Sequence, residues 1–427
     1  MQGLLLKTLH RSKLSHVRKL LIILLFFSTT YHGLSQNTFS VVYHNQNMLA
    51  GSGRSVFELG DGYLLFSVQT SWDSSVAAVF ATKFDLQGEF IWEKEHRRTR
   101  NIDPGLIDPF VSNGNGTYSC ALSDFAIGSE PDSLFLYSFN SEGDTTSTLL
   151  VNVAGAEGVR DLTATADGNY LICGVCTLSE TPYQEIACLR KVDASGNQLW
   201  RRTWSSVRYI LNAIPTSDGG YLLGAADFLY PDWGAIIKVD ELGNQQWMKF
   251  LGGNAETSPS QPVELSTGEF LVPAAWQSTD TVHSYQDQYS SLYRYSPSGE
   301  LLSRFDLQYG NRAGAVLIRP DLEGGYWLCT GIYETARDPD LATTIWRLNS
   351  AGDTLYKNRY WYYGGYAATN AATYGMTPTS DGGLILTGLA KQGINSDQPL
   401  LGSTWLLKLD QYGCLTPGCQ SVGVNDL

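Results

Sequence analysis

A short polar turn followed by an apolar run recurs along the chain. The hexapeptide PTSDGG occurs at 215–220 and again at 378–383, and an apolar segment, YLLG or LILTG, follows each copy. Related turns precede apolar runs at Asp61, Asn115, Asp167, Asp218, Thr267, Glu323 and Asp381. The successive spacings are 54, 52, 51, 49, 56 and 58 residues, which indicates seven repeated units.

A second turn pattern recurs in the same phase, 22 to 29 residues after the first. A polar residue, two spacers and a glycine appear as DLQG, NSEG, DASG, DELG, SPSG, NSAG and DQYG. Glycine supplies the positive φ that tight hairpin turns require. Each unit is therefore predicted to be four antiparallel strands, which in unit four are LNAIPTS, GYLLGAA, GAIIKVD and NQQWMKF.

Four strands in about 50 residues is typical of a propeller blade, so seven units predict an all-β, seven-bladed β-propeller. Unit seven lacks its fourth strand, because GCLTPGC stands in its place. The segment NTFSVVYHN before unit one has the pattern of an isolated strand. Pairing of this N-terminal strand with the last blade would close the ring and cover both free sheet edges.

An aromatic residue marks the predicted outermost strand. Trp92, Trp200 and Trp247 each follow the second turn by seven residues, and Tyr356 occupies this place in unit six. A large ring at a fixed place can fill the wedge between neighbouring twisted sheets. We therefore expect these rings to pack between blades.

The first 35 residues are typical of a signal peptide. Five basic residues precede the apolar run LLIILLFF, which is too short to span a bilayer, and Gly33 and Ser35 have the spacing of a cleavage site. Cleavage after Ser35 predicts a secreted protein, extracellular or at the cell surface, with no transmembrane segment. The predicted parts are the signal peptide 1–35, the propeller 36–413 and a Cys-containing tail 414–427.

After this cleavage 24 basic and 42 acidic residues remain, a net charge of −18 that argues against nucleic acid as a partner. The seven cysteines are an odd number, so at least one is unpaired within the chain. Cys414 and Cys419, close together in the tail, are the predicted disulfide. Cys173 and Cys176 lack a second cysteine pair and a nearby histidine, so we expect buried strand residues there instead of a metal site.

The candidate binding residues lie in the predicted long turns between the second and third strands of each unit and in the links between blades, on the face opposite the short turns. These segments are rich in aromatic and acidic residues, and aromatic planes beside carboxylates suit a sugar or a peptide. The alternative is that the rings only cap the core. The candidates are Trp72, Tyr230, Trp233, Trp276, Tyr285, Tyr333, Trp361, Tyr362, Tyr363 and Tyr366.

Catalytic motifs are scarce in this sequence. It has no G-x-S-x-G elbow and no phosphate loop, and His44, His96 and His283 fall in different units, so neither a metal nor a cofactor is expected. The leading hypothesis is a non-catalytic propeller that binds a glycan or an extracellular protein through its long-loop face, with the short-turn face structural. The alternative is a glycan-cleaving hydrolase that uses two carboxylates of the loop face.

The alternation TSDGGYLLG…IIKVDELGNQQW resembles the secreted propeller-like proteins of Bacteroidota that use the type IX secretion system. The tail GCLTPGCQSVGVNDL resembles the junction before their C-terminal sorting domain. The resemblance covers about 37–427 and implies a β-propeller exported from the cell. The sequence stops at Leu427, before such a domain, so attachment to the cell surface stays open.

Overall fold

Seven antiparallel sheets arranged in a ring form the protein, which is a seven-bladed β-propeller as predicted. The computed structural model describes residues 37–45, 47–48, 50–70, 77–99, 102–103, 108–124, 133–151, 157–180, 183–227, 234–252, 255–278, 287–333, 341–360, 370–391, 402–416 and 419. The predicted signal peptide lies outside them. Among the described residues, no helix has the length and apolar character needed to cross a membrane.

Blades 1 to 4 follow one another along the chain, each from its innermost to its outermost strand. The N-terminal strand β1 (Phe39–Tyr43) belongs to blade 7. Blade 1 contains β2 (Ala50–Leu59), β3 (Gly62–Thr70), β4 (Ala77–Phe84) and β5 (Phe90–Thr99). Blade 2 contains β6 (Ile102–Asp103) and β7 (Phe110–Ser112) as a broken innermost strand, then β8 (Thr117–Asp124), β9 (Ser133–Asn140) and β10 (Thr145–Val151).

Blade 3 contains β11 (Glu157–Ala164), β12 (Tyr170–Glu180), β13 (Tyr183–Val192) and β14 (Gln198–Trp204). Blade 4 contains β15 (Tyr209–Pro215), β16 (Tyr221–Ala226), β17 (Gly234–Val239) and β18 (Gln245–Phe250).

Blades 5 and 6 share one long strand. Blade 5 contains β19 (Ala255–Pro259), β20 (Val263–Glu264), β21 (Phe270–Ser278), β22 (Asp287–Tyr295) and the first part of β23 (Leu301–Pro320). The second part of β23 is the innermost strand of blade 6, which continues with β24 (Tyr326–Tyr333), β25 (Leu341–Leu348) and β26 (Thr354–Tyr360). Blade 7 contains β27 (Asn370–Pro378), β28 (Leu384–Lys391) and β29 (Gly402–Leu409).

The ring closes as predicted, because β1 is the outermost strand of blade 7. It pairs antiparallel with β29 from Phe39 opposite Lys408 to Tyr43 opposite Thr404. The indole Nε1 of Trp405 donates to the Ser40 hydroxyl at 3.0 Å across this pair. Both ends of the propeller thus lie in one sheet, which closes the ring and pairs the outer edge of β29.

The aromatic marks pack between blades, as predicted. A Cβ placed on Gly143, in the second turn of blade 2, would lie 2.5 Å from the Trp92 ring of blade 1. This glycine, with φ +72°, therefore serves both the turn and the close approach of the ring. The equivalent pairs are Trp200 with Gly243 and Trp247 with Gly299.

A buried or half-buried cation on the third strand pairs with an acidic residue of the first turn in six blades. Lys238, whose side chain is 3% exposed, lies 2.8 Å from the Asp218 carboxylate. In blade 2, Ser138 occupies the position of the cation, and its hydroxyl contacts that of Ser119. The other pairs are Lys83 with Asp61, Lys191 with Asp167, Arg294 with Glu269, Arg347 with Asp321 and Lys408 with Asp381.

The two identical hexapeptides have an additional contact to the next blade. The hydroxyl of Ser217 donates to Glu264 at 2.7 Å, and its N–H donates to the same carboxylate at 2.6 Å. Ser380 makes the same two contacts with Glu58, at 3.0 and 2.6 Å. Both glutamates lie at or next to the end of an innermost strand of the following blade. The repeated serine therefore ties neighbouring blades together.

Two disulfides are present, and all seven cysteines lie among the described residues. The Cys414–Cys419 bond is the predicted one. Cys176 is a buried strand residue as expected, but it also forms a disulfide with Cys188, which the sequence analysis missed. The three remaining cysteines, Cys120, Cys173 and Cys329, are unpaired and buried.

The Asp218 to Asn substitution tests the turn ion pair. Burial opposes ionisation, but Lys238, Thr216 and the Gly220 N–H together lower the pKa of Asp218 to about 2. The carboxylate therefore stabilises the fold above the unfolded pKa of about 4, and this contribution disappears as the pH falls to 2. We expect Asp218→Asn to lower the free energy of unfolding by about 1 kcal/mol at pH 7, because Asp218 is half exposed to water.

Chemical denaturation of wild type and variant between pH 2.5 and 7 measures this effect. The exposed turn residue Glu241, changed to Gln, is the matched control and should leave stability unchanged. An Asp218→Asn penalty that stays constant across this pH range would contradict the assigned role.

Candidate functional site: the axial cavity

The candidate residues of the long-loop face are mostly outside the described residues. Trp276 lies in β21 and Tyr333 in β24, each near the strand end that leads into a long turn, as predicted. Their side chains are not described. Entirely outside the described residues are Trp72, Tyr230, Trp233, Tyr285, Trp361, Tyr362, Tyr363 and Tyr366. Binding by these rings stays a prediction.

A cavity of about 370 Å³ lies on the axis of the ring. The innermost strands of all seven blades line it. Each blade contributes the residue that stands the same number of positions before its first turn. These residues are Phe57, Val111, Thr163, Ile214, Val263, Arg319 and Thr377. The site therefore exists only because the ring is closed.

The cavity opens toward the face that carries the short first turns. Ser112 and Pro320, which line it and lie close to those turns, are exposed, whereas Asp161 is 4% exposed. The function predicted from the sequence lies on the opposite face, that of the long loops. The described residues add a second candidate location, on the axis and accessible from the short-turn side.

Arg319 organises the polar side of the cavity. Its guanidinium donates through Nη2 to the Asp108 carboxylate and through Nη1 to Gln261 Oε1 and to the Ile318 carbonyl, the last at 2.9 Å. The Arg319 and Asp108 side chains are 20% and 12% exposed. Guanidinium and carboxylate therefore form a partly buried ion pair, which fixes both side chains.

Asp108 reaches the cavity through an unusual backbone conformation. It lies just before β7, where the innermost strand of blade 2 is broken, and its φ is +45°, the only positive φ of a non-glycine residue among those described. Its N–H donates to the Tyr374 carbonyl at 2.9 Å. Left-handed backbone is uncommon for residues other than glycine and is often found at functional sites.

Asp161 is the deepest charged group of the cavity. It accepts a hydrogen bond from the Ala213 N–H at 3.3 Å, and the Thr163 hydroxyl also lies at 3.3 Å, although its shorter acceptor is the Ala213 carbonyl at 2.9 Å. Burial raises the pKa of Asp161 to about 7, and the negative charge of Asp108 adds to the rise, while the Ala213 N–H and Arg319 oppose it. Burial also raises the pKa of Asp108, with Arg319 opposing. At neutral pH the Asp161 carboxyl is thus divided between its charged and neutral forms.

This arrangement suits a small ligand with one polar and one apolar side. Asp108, Asp161, Arg319 and Gln261 offer donors and acceptors, while Phe57, Phe110, Ile214 and Val263 form apolar walls. The volume falls within the usual range of small-molecule sites. Within the described residues no cluster of three or more His, Cys, Asp or Glu side chains is placed to ligate a metal.

The sequence contains a signal for part of this site. When the seven units are aligned on their first turns, the residue that lines the axis is uncharged in six and is Arg319 in the sixth unit. Asp161 stands two residues before Thr163, the equivalent residue of unit three. A charged residue at a position that is uncharged in the other six units is what a functional substitution would leave. Asp108 lies outside the repeated pattern and gave no such signal.

Comparisons with known proteins agree with the fold. No protein-family model and no curated protein matches the chain. The structure is similar to puromycin hydrolase, with a TM-score of 0.50 and 14% identity over 87% of this chain and 55% of that chain. A protein of unknown function from Bacteroides caccae has a TM-score of 0.40 and 15% identity, over 69% of this chain and 90% of its own. One from Dyadobacter fermentans has a TM-score of 0.44 and 10% identity, over 86% and 97%. At such identities the likeness to puromycin hydrolase shows the fold alone.

Removing the charge of Asp161 should stabilise the protein above neutral pH. Between the unfolded pKa of about 4 and the folded pKa of about 7, the native state holds a proton that the unfolded chain has lost. Stability therefore falls as the pH rises through this window. We expect Asp161→Asn to raise the free energy of unfolding at pH 8 by on the order of 2 kcal/mol and to have little effect at pH 4.

Denaturant titrations at pH 4, 6 and 8 measure this gain, with Glu142→Gln, at an exposed turn position, as the matched control. A variant that is less stable than wild type at pH 8 would show that the Asp161 charge is compensated in the native state.

Removing Arg319 should have the opposite effect. Arg319→Met leaves the Asp108 carboxylate partly buried without its cation, which typically costs about 3 kcal/mol. The loss should shrink at pH 5, where Asp108, whose pKa is raised by burial, protonates more readily. Thermal or chemical unfolding at both pH values measures it. Lys94→Met, which breaks the exposed pair with Asp144, is the control and should cost under about 1 kcal/mol.

Proposed function

We propose that the protein is a secreted, non-catalytic β-propeller that binds a sugar residue of an extracellular glycan in its axial cavity. The observation that carries this proposal is the cavity itself, in which an Arg319–Asp108 pair and Gln261 face apolar walls. Sugars present hydroxyl groups around the edge of a ring with an apolar face. Such a ligand matches a pocket that is polar on one side and apolar on the other.

The polar groups are held in place before a ligand arrives. Asp108 is fixed by its bond to Arg319 and by the Tyr374 carbonyl, and Arg319 is fixed by Gln261. Because these side chains are already ordered, binding costs little side-chain entropy. The aromatic residues of the long-loop face, on the opposite side of the ring, remain a second candidate surface for a glycan or a protein partner.

Secretion is part of this proposal. The signal-peptide pattern and the two disulfides support it, because disulfides persist in oxidising compartments outside the cytosol. The resemblance to type IX secreted propellers of Bacteroidota supports the particular export route.

A glycan array probed with the chain from Gln36 onward tests this function. We expect a hit that weakens at least tenfold in Ile214→Trp or Ala164→Trp, because the added indole would occupy the cavity. Two such variants are used so that a folding defect in one, detected by circular dichroism, does not decide the result. Replacing Trp361, Tyr362 and Tyr363 by Ala is the matched comparison on the loop face.

The glycan-array results distinguish the axial cavity from the long-loop face as the binding site. Loss of binding in the cavity variants with retention in the triple variant supports the axial site. Loss only in the triple variant would move the site to the long-loop face. A chain that binds no glycan at all would contradict a glycan ligand and leave a protein partner or a structural role.

A glycan-cleaving hydrolase is the second candidate, favoured by one observation. The cavity contains two carboxyl groups, and Asp161, with a pKa of about 7, keeps a protonated fraction at neutral pH, as a general acid requires. Incubating bound glycans with wild type and Asp161→Asn separates the two functions. An enzyme would release shorter sugars and lose turnover in the variant while it still binds, whereas a binding protein releases none.

A further inference from the structure

We infer that the ligand of the axial cavity carries an ammonium group, as an amino sugar does, and that this group pairs with Asp161. The inference rests on the proposed function, because it specifies the charge of the sugar bound there. It concerns the wall of the cavity that contains Asp161. Among the described residues that line the cavity, Arg319 is the one cation, and it is bonded to Asp108.

The charges of the cavity do not balance. Its charged lining residues among those described are Asp108, Asp161 and Arg319. Arg319 neutralises Asp108 through a direct hydrogen-bonded contact, so one carboxylate remains. A ligand with a single positive charge would make the occupied cavity neutral.

The hydrogen bonds of Asp161 leave room for a stronger donor. The Thr163 hydroxyl and the Ala213 N–H both lie at 3.3 Å, the long end of the normal range. Asp161 is only 4% exposed, and the two groups that could donate to it are neutral and distant. They compensate poorly for the hydration that the carboxylate loses on burial. A charge-assisted bond from an ammonium group is shorter and about twice as strong as a bond from a hydroxyl.

Other ligand charges fit less well. A sugar carboxylate would meet two acidic side chains, and the guanidinium of Arg319 is already occupied by Asp108, Gln261 and the Ile318 carbonyl. A neutral sugar could bond to the polar side but would leave Asp161 without a counter-charge. The same cavity should therefore bind neutral sugars weakly and their amino derivatives more tightly.

Binding of an ammonium ligand should strengthen as Asp161 ionises. The groups that face Asp161 are Asp108, Arg319 and the buried thiol of Cys173 on the neighbouring strand, whose pKa is raised by burial. The pKa of Asp161 is about 7, so ionisation occurs between pH 6 and 8. An alkyl ammonium with a pKa near that of lysine, about 10, stays charged across this range.

Isothermal titration with matched sugars tests the inference. The probes are glucose, galactose and mannose, their 6-amino-6-deoxy derivatives, and propylammonium as an ammonium without a sugar. We expect wild type to prefer at least one amino derivative over its parent by about tenfold at pH 8, and less at pH 6. Asp161→Asn should abolish the preference, because the variant has no charge at this position to pair with the ammonium group. Ser112→Ala, at the cavity mouth, is the matched control and should keep the preference.

The outcomes separate this inference from the proposed function. Equal affinities for parent and amino sugars overturn the inference and leave sugar binding intact. A preference that survives in Asp161→Asn overturns the role of Asp161. Propylammonium binding that depends on Asp161, with no sugar bound, supports the ammonium site and overturns the sugar ligand. A cavity that binds none of the probes overturns the inference.

Discussion

The backbone pairing of β1 with β29 is the contact on which the rest of the ring depends. Without it, blade 7 would lack its outermost strand and the two ends of the propeller would not be joined, so the innermost strands would not be held around a common axis. The pairing joins residues near position 40 to residues near position 405, which are remote in the sequence. The axial cavity, with a wall from every blade, is a direct product of this closure.

Repeated and unrepeated residues do different work in this molecule. The repeated ones hold the blades: Lys238 binds the Asp218 turn, Trp92 covers Gly143, and their equivalents do the same around the ring. The unrepeated ones build the cavity, where Arg319 and Asp161 interrupt positions that are uncharged in most other blades. Departure from the repeat therefore marks the site, because selection for packing alone would favour the same residue type in every blade.

The propeller architecture could be predicted from the sequence because the patterns that indicate it are local. Turn glycines, strand patterns and the Trp marks depend on residues within one unit, and Cys414 and Cys419 are five positions apart. The bond between Cys176 and Cys188 depends on the register of β12 against β13, which a strand pattern does not specify. Asp108 depends on a broken strand and a positive φ. The aromatic residues of the long loops remain untested predictions, since long loops are positioned by contacts that no repeat encodes.

Within the part of the chain that the structure describes, blades 5 and 6 alone share one continuous strand, β23. Its 20 residues pair with β22 on one stretch and with β24 on another, so one backbone passes through two sheets. Separating these two blades requires bending or melting a paired strand, not just parting packed side chains. We expect their backbone amides to exchange hydrogen with solvent as a single cooperative unit, which would make this sector the most resistant part of the ring to local opening.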